Sequence, residues 1–252
     1  MEALRRQKDI IGLLKEKKIL SVNELSKTLY IGPASIRRDL SKLEKLGHVK
    51  RTHGGATLVD GLDSEIPLYV REEKSIKEKE IIAKLALSLI NEKDIVILDS
   101  STSTYQITRI IPDNKNITVI TNGAKTAIAL GGKNISVYCT GGKLRESSLS
   151  YIGDTAKKFL ENFNANTLFF SCRSITDDCV LYDSSEYEAE LRKGMIKQCE
   201  KVVLLCDSSK FGKKSFYRIC DFKDIDYLIT DKKPEESFII FLNQCGCSVI
   251  YE

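Results

Sequence analysis

Apolar positions recur at helical spacing three times before residue 47. Leu4, Ile10, Ile11, Leu13 and Leu14 can share one face of a helix from about Glu2 to Lys17. Val22, Leu25 and Leu29 supply the buried side of a second, short helix, opened by Ser21 and Glu24 at capping-box spacing. Ile36, Leu40 and Leu43 fall on one side of a third, Pro33 to Leu46. Gly32 suits the N-cap of that helix, Pro33 its first position and Gly47 its left-handed C′ position. With about 100° per residue, Ala34, Arg38, Ser41 and Lys45 come out opposite the apolar stripe, flanked by Ser35, Arg37 and Lys42. Small and hydroxyl residues near the N-terminus, with cations along the outer face, suit a helix that enters a major groove and reaches phosphates. A solvated amphipathic helix would look the same in isolation. Its neighbours point elsewhere.

The second and third helices are joined only by Tyr30-Ile31-Gly32, which makes a helix-turn-helix. The run His48 to Leu58 then places a glycine pair between two β-prone segments, the pattern of a hairpin wing carrying Lys50, Arg51 and His53. Charge agrees with this reading. Residues 1–60 hold 13 Lys and Arg against 7 Asp and Glu, whereas the remainder holds 26 against 28, so the net +4 is concentrated in the first quarter of the chain. The candidate DNA-contacting residues are therefore Ser35, Arg37, Arg38, Ser41, Lys42, Lys45, Lys50, Arg51 and His53. From Leu58 to Lys74 the chain is charged and aperiodic, as in a linker, with a short strand through Ile66 to Val70 as the alternative.

The segment IRRDLSKLEKLGHVKRTHGGA, Ile36 to Ala56, closely resembles the signature of the DeoR family of bacterial transcriptional regulators. The resemblance implies a winged helix-turn-helix over residues 3–58 (turn motif about 20–39), a linker over 59–75 and a sugar-phosphate-sensing domain over 76–252. The chain departs from the family pattern where a Ser or Thr usually precedes the recognition helix; Gly32-Pro33 stands there and removes one potential phosphate contact.

After Ser75 the pattern changes to helices alternating with β-rich runs. The alternation predicts a helix over Ile76 to Asn91, a strand over Asp94 to Leu98, a helix over Tyr105 to Ile110 and a strand over Ile117 to Thr121. A helix over Ala124 to Leu130 and a strand over Ile135 to Thr140 follow, the order expected of a parallel α/β sheet with crossover helices. Ligands of such sheets bind beyond the carboxyl ends of the strands, so the residues after each strand are the ones to inspect. They include the hydroxyl-rich Asp99-Ser100-Ser101-Thr102-Ser103-Thr104, Asn122, Gly141-Gly142-Lys143 with Arg145, Arg173, Glu186, Asp207 and Lys210. Hydroxyls and backbone N–H groups at a helix start can cradle a phosphate, with Lys79, Lys143, Arg145, Arg173 and Lys210 neutralising it. Asp99, Asn122 and Glu186 could hydrogen-bond sugar hydroxyls. A polar, capped turn is the competing reading of the Asp99 loop.

This second region also resembles the DeoR effector domain, which is similar in fold to ribose-5-phosphate isomerase, and the loop at Asp99 and the element Asp207 to Lys210 carry the match. An isomerase would also show an acidic Asp-Gly-Ala-Asp-type loop. Ser171-Cys172-Arg173-Ser174 stands there, with no carboxylate to move a proton between carbons, and no His is present in this region to activate Cys172 as a nucleophile. The expected function is therefore a sequence-specific, cytoplasmic DNA-binding regulator, a homodimer or homotetramer acting as a repressor until a phosphorylated sugar releases it from its double-stranded operator. An isomerase-like enzyme with a DNA-binding extension, and an activator, are the alternatives. The eight cysteines lie mostly in apolar or β-rich runs and read as reduced core thiols. Cys245-Gly-Cys247 with two histidines elsewhere is too little for a zinc site, so neither metal nor cofactor is expected. No apolar run reaches membrane-spanning length, and the charged N-terminus does not read as a signal peptide.

Overall fold

The computed structural model describes residues 2–45, 48–58 and 68–252, with side chains from residue 5 onward except that of Lys45. Leu4, Lys45, Leu46, Gly47 and the linker from 59 to 67 therefore lie outside what is described in full. The chain divides into two compact units, Met1–Arg71 and Glu72–Glu252.

In the first unit the three expected helices form as α1 (Glu2–Lys17), α2 (Val22–Leu29) and α3 (Pro33–Lys45). Their apolar stripes meet in one core made of Ile10, Ile11, Leu14, Val22, Leu25, Ile36, Leu40 and Leu43. The capping box is present: the Glu24 N–H donates to Ser21 Oγ, while the Ser21 N–H donates to Glu24 Oε2 at 2.8 Å. Tyr30 closes α2 in the left-handed region, with φ of 55°, and its N–H donates to the Ser26 carbonyl. Gly32 begins α3 by accepting from the Ser35 and Ile36 N–H groups. The wing strands are β2 (Val49–Thr52) and β3 (Gly55–Leu58), and a third strand absent from the sequence reading, β1 (Ile19–Ser21), pairs antiparallel with β3. Its three residues are too few to show a period. Gly55 is dictated by that pairing, because a Cβ there would lie 2.2 Å from the Leu20 carbonyl oxygen.

The expectation of a linker to residue 75, with a strand through Ile66 to Val70 as its alternative, is corrected at its end. Leu68–Glu73 is a short helix, α4, which buries Val70 in the core of the first unit with Tyr69 packed beside it. One apolar turn followed by Arg71-Glu72-Glu73 is too short to betray its period in sequence.

In the second unit α5 (Ile76–Leu87) ends earlier than expected, and α6 (Thr102–Ile110) begins earlier because Ser101 caps it. The remaining elements that build the layers are β4 (Ile95–Leu98), β5 (Thr118–Thr121), α7 (Ala124–Leu130), β6 (Ser136–Cys139), the hairpin β7 (Lys143–Arg145) and β8 (Ser150–Ile152), and α8 (Asp154–Leu160). They continue as β9 (Ala165–Phe170), β10 (Ser174–Ile175), β11 (Val180–Asp183), α9 (Glu186–Lys197), β12 (Cys199–Leu205), β13 (Tyr217–Asp221), β14 (Tyr227–Ile229), α10 (Glu236–Gln244) and β15 (Ser248–Ile250). Seven strands form the parallel sheet the alternation implied, in the order β15-β14-β12-β9-β4-β5-β6.

Successive residues of each central strand serve opposite faces, as the pleat requires. Ile97, Ile120, Leu168, Phe170 and Leu204 pack with α8, α9 and α10 residues, while Val96, Leu98, Val119, Phe169 and Val203 pack with α5 and α6. The sheet is thus covered on both sides, which explains the unbroken apolar runs. From β4 the chain moves to one edge through β5 and β6, then returns to the other side of β4 with β9 and continues outward. The order reverses between β4 and β9, and in such sheets ligands bind beyond the strands' carboxyl ends at that point.

Candidate nucleic-acid interface and effector site

On α3 the apolar stripe is fully buried, and Arg37, Arg38 and Lys42 are exposed on the other side with Ser35 and Ser41 half-buried. A shallow concavity of about 330 Å³ is lined by Arg37, Arg38, Ser41 and Lys42. The wing is fastened to this helix. Arg51 donates from Nη1 to Ser41 Oγ at 3.1 Å and from its backbone N–H to Glu44 Oε1 at 3.1 Å. Lys50, Arg51 and His53 are all exposed on β2 and the turn after it, so one continuous cationic surface runs from α3 onto the wing. Asp39, which the sequence reading passed over, holds the helix from behind: buried on α3, it pairs with Arg6 and accepts from Gln7 Nε2 at 3.2 Å.

In the second unit, residues from several separate elements gather near the reversal point. Asp99, at the end of β4 and 1% exposed, accepts at Oδ1 from the Ser101 N–H and Thr104 Oγ1, both at 2.9 Å. At Oδ2 it accepts from the Ser171 N–H at 3.2 Å and Arg192 Nε at 2.9 Å. All four acceptor positions are therefore used. Asp99 was expected to meet a sugar hydroxyl directly; instead it fixes the hydroxyl loop against the end of β9. Arg192, 4% exposed on α9, also reaches Asp183 at 2.7 Å and Glu188 at 3.6 Å, and these three carboxylates hold its guanidinium charged well above the ordinary range despite the opposing effect of burial. Glu188 in turn accepts from Ser150 Oγ at 2.8 Å and stands 3.9 Å from Arg145.

Lys210 donates from Nζ to Ser171 Oγ at 2.6 Å and lies 3.9 Å from Asp207. Burial alone would raise the Asp207 carboxyl, but Lys210, hydrogen bonds from Ser209, and Lys79 bring it below its ordinary value. Lys79 is itself buried, its Nζ donating to the Lys74 carbonyl at 2.7 Å. Asn122 donates to Ser100 Oγ at 3.4 Å and to the Tyr151 carbonyl at 3.3 Å, while its Oδ1, like Ser103 Oγ, is buried without a protein partner. Thr102 is buried with them in the first turn of α6. Gly141 and Gly142 take φ of 63° and 105°, and a Cβ at Gly142 would meet the Ile152 carbonyl at 2.9 Å.

Two expectations need correcting here. The stretch from Gly141 to Arg145 is not simply a loop, since Lys143–Arg145 pairs with Ser150–Ile152 as a hairpin on which Lys143 is exposed. Glu186 is exposed, and the carboxylate that α9 turns into the cluster is Glu188. Arg173 is half-buried, its N–H donating to the Tyr182 carbonyl, at the start of the short antiparallel sheet of β10, β11 and β13. The sequence reading missed Arg192 and Glu188. Their signal was present: they are one helical turn apart and in line with buried Met195, so the helix carries two charges on its apolar face.

A DeoR-like helix-turn-helix domain model matches residues 6–61, and a DeoR C-terminal sensor domain model matches residues 74–232. The chain is 40% identical over 232 residues to the HTH-type transcriptional regulator YulB of Bacillus subtilis, covering 92% of this chain and 90% of that one. It is 37% identical over 250 residues to the HTH-type transcriptional regulator GolR of Listeria innocua, covering 99% and 98%. It is 31% identical over 243 residues to the HTH-type transcriptional repressor GlcR of B. subtilis, covering 96% and 93%. Among solved structures, ribose 5-phosphate isomerase A from Methanocaldococcus jannaschii superposes with a TM-score of 0.40 at 14% identity, covering 53% of each chain.

Proposed function

Because this chain belongs to the DeoR family of helix-turn-helix transcriptional regulators, we propose that it represses a carbohydrate-metabolism operon and leaves its operator when a phosphorylated sugar occupies the reversal point of the parallel sheet. It is a DNA-binding regulator and not an enzyme. In this reading Arg38, Ser41 and Arg37 face base edges, while Ser35, Lys42, Lys45, Lys50, Arg51 and His53 meet the backbone. One recognition helix reads too few base pairs for a specific site, so two or four copies act together on repeated half-sites. Repressor action is supported by relatives that carry that description. A regulator that works on chromosomal DNA acts in the cytoplasm.

The observation that carries the effector reading is the gathering of Lys210, Lys79 and the first turn of α6 around strand ends where Ser103 Oγ and Asn122 Oδ1 are buried without protein partners. Buried polar atoms almost always find a partner, so these two await a ligand's hydroxyl or phosphate. Lys210 and Lys79 supply the charge, the start of α6 supplies N–H groups and its dipole, and Asn122 reads a hydroxyl. Asp99 and Arg192 hold that arrangement in place. Arg173 stands where an isomerase would need a carboxylate, which favours holding an anion over moving a proton.

The test is a fluorescence titration of the full chain with the DNA upstream of its own gene, repeated in the presence of pentose and hexose phosphates. At least one phosphosugar should release the DNA and raise the melting temperature of the free protein, because a ligand that binds only the folded form stabilises it by mass action. Lys210→Ala should bind the same DNA but require roughly tenfold to a hundredfold more sugar phosphate, the loss expected for one charge-assisted hydrogen bond. Release by unphosphorylated sugars alone, or with Lys210→Ala unaffected, would overturn the phosphate assignment.

A further inference from the structure

The adjacent strands β9 and β12 are each followed by a cysteine, Cys172 two residues after the end of β9 and Cys206 directly after the end of β12. β9 and β12 run parallel in a fixed register, Phe169 opposite Val203 and Phe170 opposite Leu204. One residue further the two chains are still in contact, Ser171 Oγ donating to the Leu205 carbonyl at 2.5 Å, and beyond it the Cys172 and Cys206 side chains are themselves hydrogen-bonded. Cys172 and Cys206 keep the same sequence offset as the paired residues of the two strands. Both are buried, both face the same hydrophobic cluster, and neither is part of a disulfide. Neighbouring strands lie about 4.8 Å apart, inside the Cα separations a disulfide spans.

We propose that Cys172 and Cys206 are a redox-active pair that a hydroperoxide converts to an intramolecular disulfide across the carboxyl ends of β9 and β12. The Cys172 thiolate attacks one peroxide oxygen; the O–O bond breaks, the departing hydroxide takes up the proton that Cys172 gave up, and sulfur is left as a sulfenic acid. Cys206 then attacks that sulfur, the S–O bond breaks, and the displaced hydroxide leaves as water with the Cys206 proton. Two thiols and one hydrogen peroxide thus give one disulfide and two waters, the thiols being oxidised and the peroxide reduced. The assignment of roles follows from the surroundings. A hydrogen bond from Cys206, opposed by burial and by Asp183 but aided by Lys210 and Arg192, lowers the Cys172 thiol, whereas burial raises Cys206 well above the ordinary range. Cys172 is therefore the attacking sulfur and Cys206 the resolving one. Other thiols nearby face a different balance: burial, with smaller contributions from nearby acidic groups, raises Cys220 beyond the ordinary thiol range.

The cross-link would close directly beside Ser171, which accepts from Lys210, and Asp207, which pairs with it. Oxidation therefore acts on the same strand ends as the proposed effector, although the chemistry of the pair stands whether or not a sugar phosphate is the ligand.

The experiment treats the reduced full chain with hydrogen peroxide, quenches it with catalase, alkylates it in denaturant and reads the intact and peptide masses. The expected result is six alkylated thiols instead of eight, a Cys172–Cys206 linked peptide, and recovery of all eight after dithiothreitol. Cys206→Ser should stop at a sulfenic acid on Cys172 that dimedone traps, and Cys172→Ser should give neither product. Far-ultraviolet circular dichroism of each variant checks that it is folded, and the wild-type peptide map stands independently of both. Full alkylation after peroxide, or a link from Cys172 to Cys220 instead, would overturn the proposal.

Discussion

Arg192 Nε donates to Asp99 Oδ2 at 2.9 Å across 93 residues of sequence, joining the middle of α9 to the end of the central strand. Neither group is more than 5% exposed, and the same guanidinium also holds Asp183 and Glu188. Removing one partner from such a cluster leaves the others charged and out of water. Arg192→Leu should therefore lower the stability of the second unit by roughly 3–5 kcal/mol, read as a fall in the urea midpoint. Arg192→Lys, which keeps the charge but not the fork, should fall between. An unchanged midpoint for Arg192→Leu would mean that the cluster is not under this constraint.

Tyr30 offers a change in the other direction. It is 95% exposed and sits at φ of 55°, where an L side chain is crowded against its own backbone. Tyr30→Gly loses little packing and keeps the N–H bond to Ser26. The relief of strain outweighs the extra chain entropy of glycine by a net of about 1 kcal/mol, and the melting temperature of the DNA-binding unit should rise.

Gly55→Ala should do the opposite. Its new Cβ would meet backbone on β1 at 2.2 Å, and backbone gives way only by moving the strand. A loss of roughly 1–3 kcal/mol is expected for such overpacking, with the first unit unfolding at lower denaturant while the second is unaffected.

At Asp207 the expectation concerns pH. Its folded-state pKa lies below the ordinary 3.8, so its charged form is favoured in the folded protein and its contribution is fully present above that value. The contribution is lost as the pH falls through the depressed folded value. The stability gap between the wild type and Asp207→Asn should accordingly be constant from neutral pH down to the ordinary carboxylate range and close on further acidification. A gap that widens in acid would reverse the sign of the assignment.

On the DNA side, Arg38→Ala should cost about 1–3 kcal/mol of specific affinity, the value of one good base contact, at unchanged fold. Lys50→Ala should weaken specific and non-specific duplexes alike and reduce the slope of affinity against salt, as loss of a phosphate contact does. Equal behaviour of the two variants on non-cognate DNA would argue that Arg38 is also only a phosphate contact.

What the sequence determined by itself was local. The apolar stripe of Ile36, Leu40 and Leu43, the Ser21–Glu24 capping box and the alternation of helices with strands are set by neighbours within a few residues, and each is found in the structure. The strand ends that carry the candidate effector residues were legible for the same reason, because a polar loop after a buried strand marks a strand end. Tertiary structure decided which partners those residues meet. Asp99 reads as a ligand group in sequence, and becomes a brace only because β9 brings Ser171 and α9 brings Arg192 to its two oxygens. Likewise β1 exists only because β3 offers it a partner, and Asp39 is tolerable in a buried position only because α1 supplies Arg6 and Gln7. A buried charge or a three-residue strand has no stability of its own; it exists through a partner distant in sequence, and local periodicity carries no record of that partner.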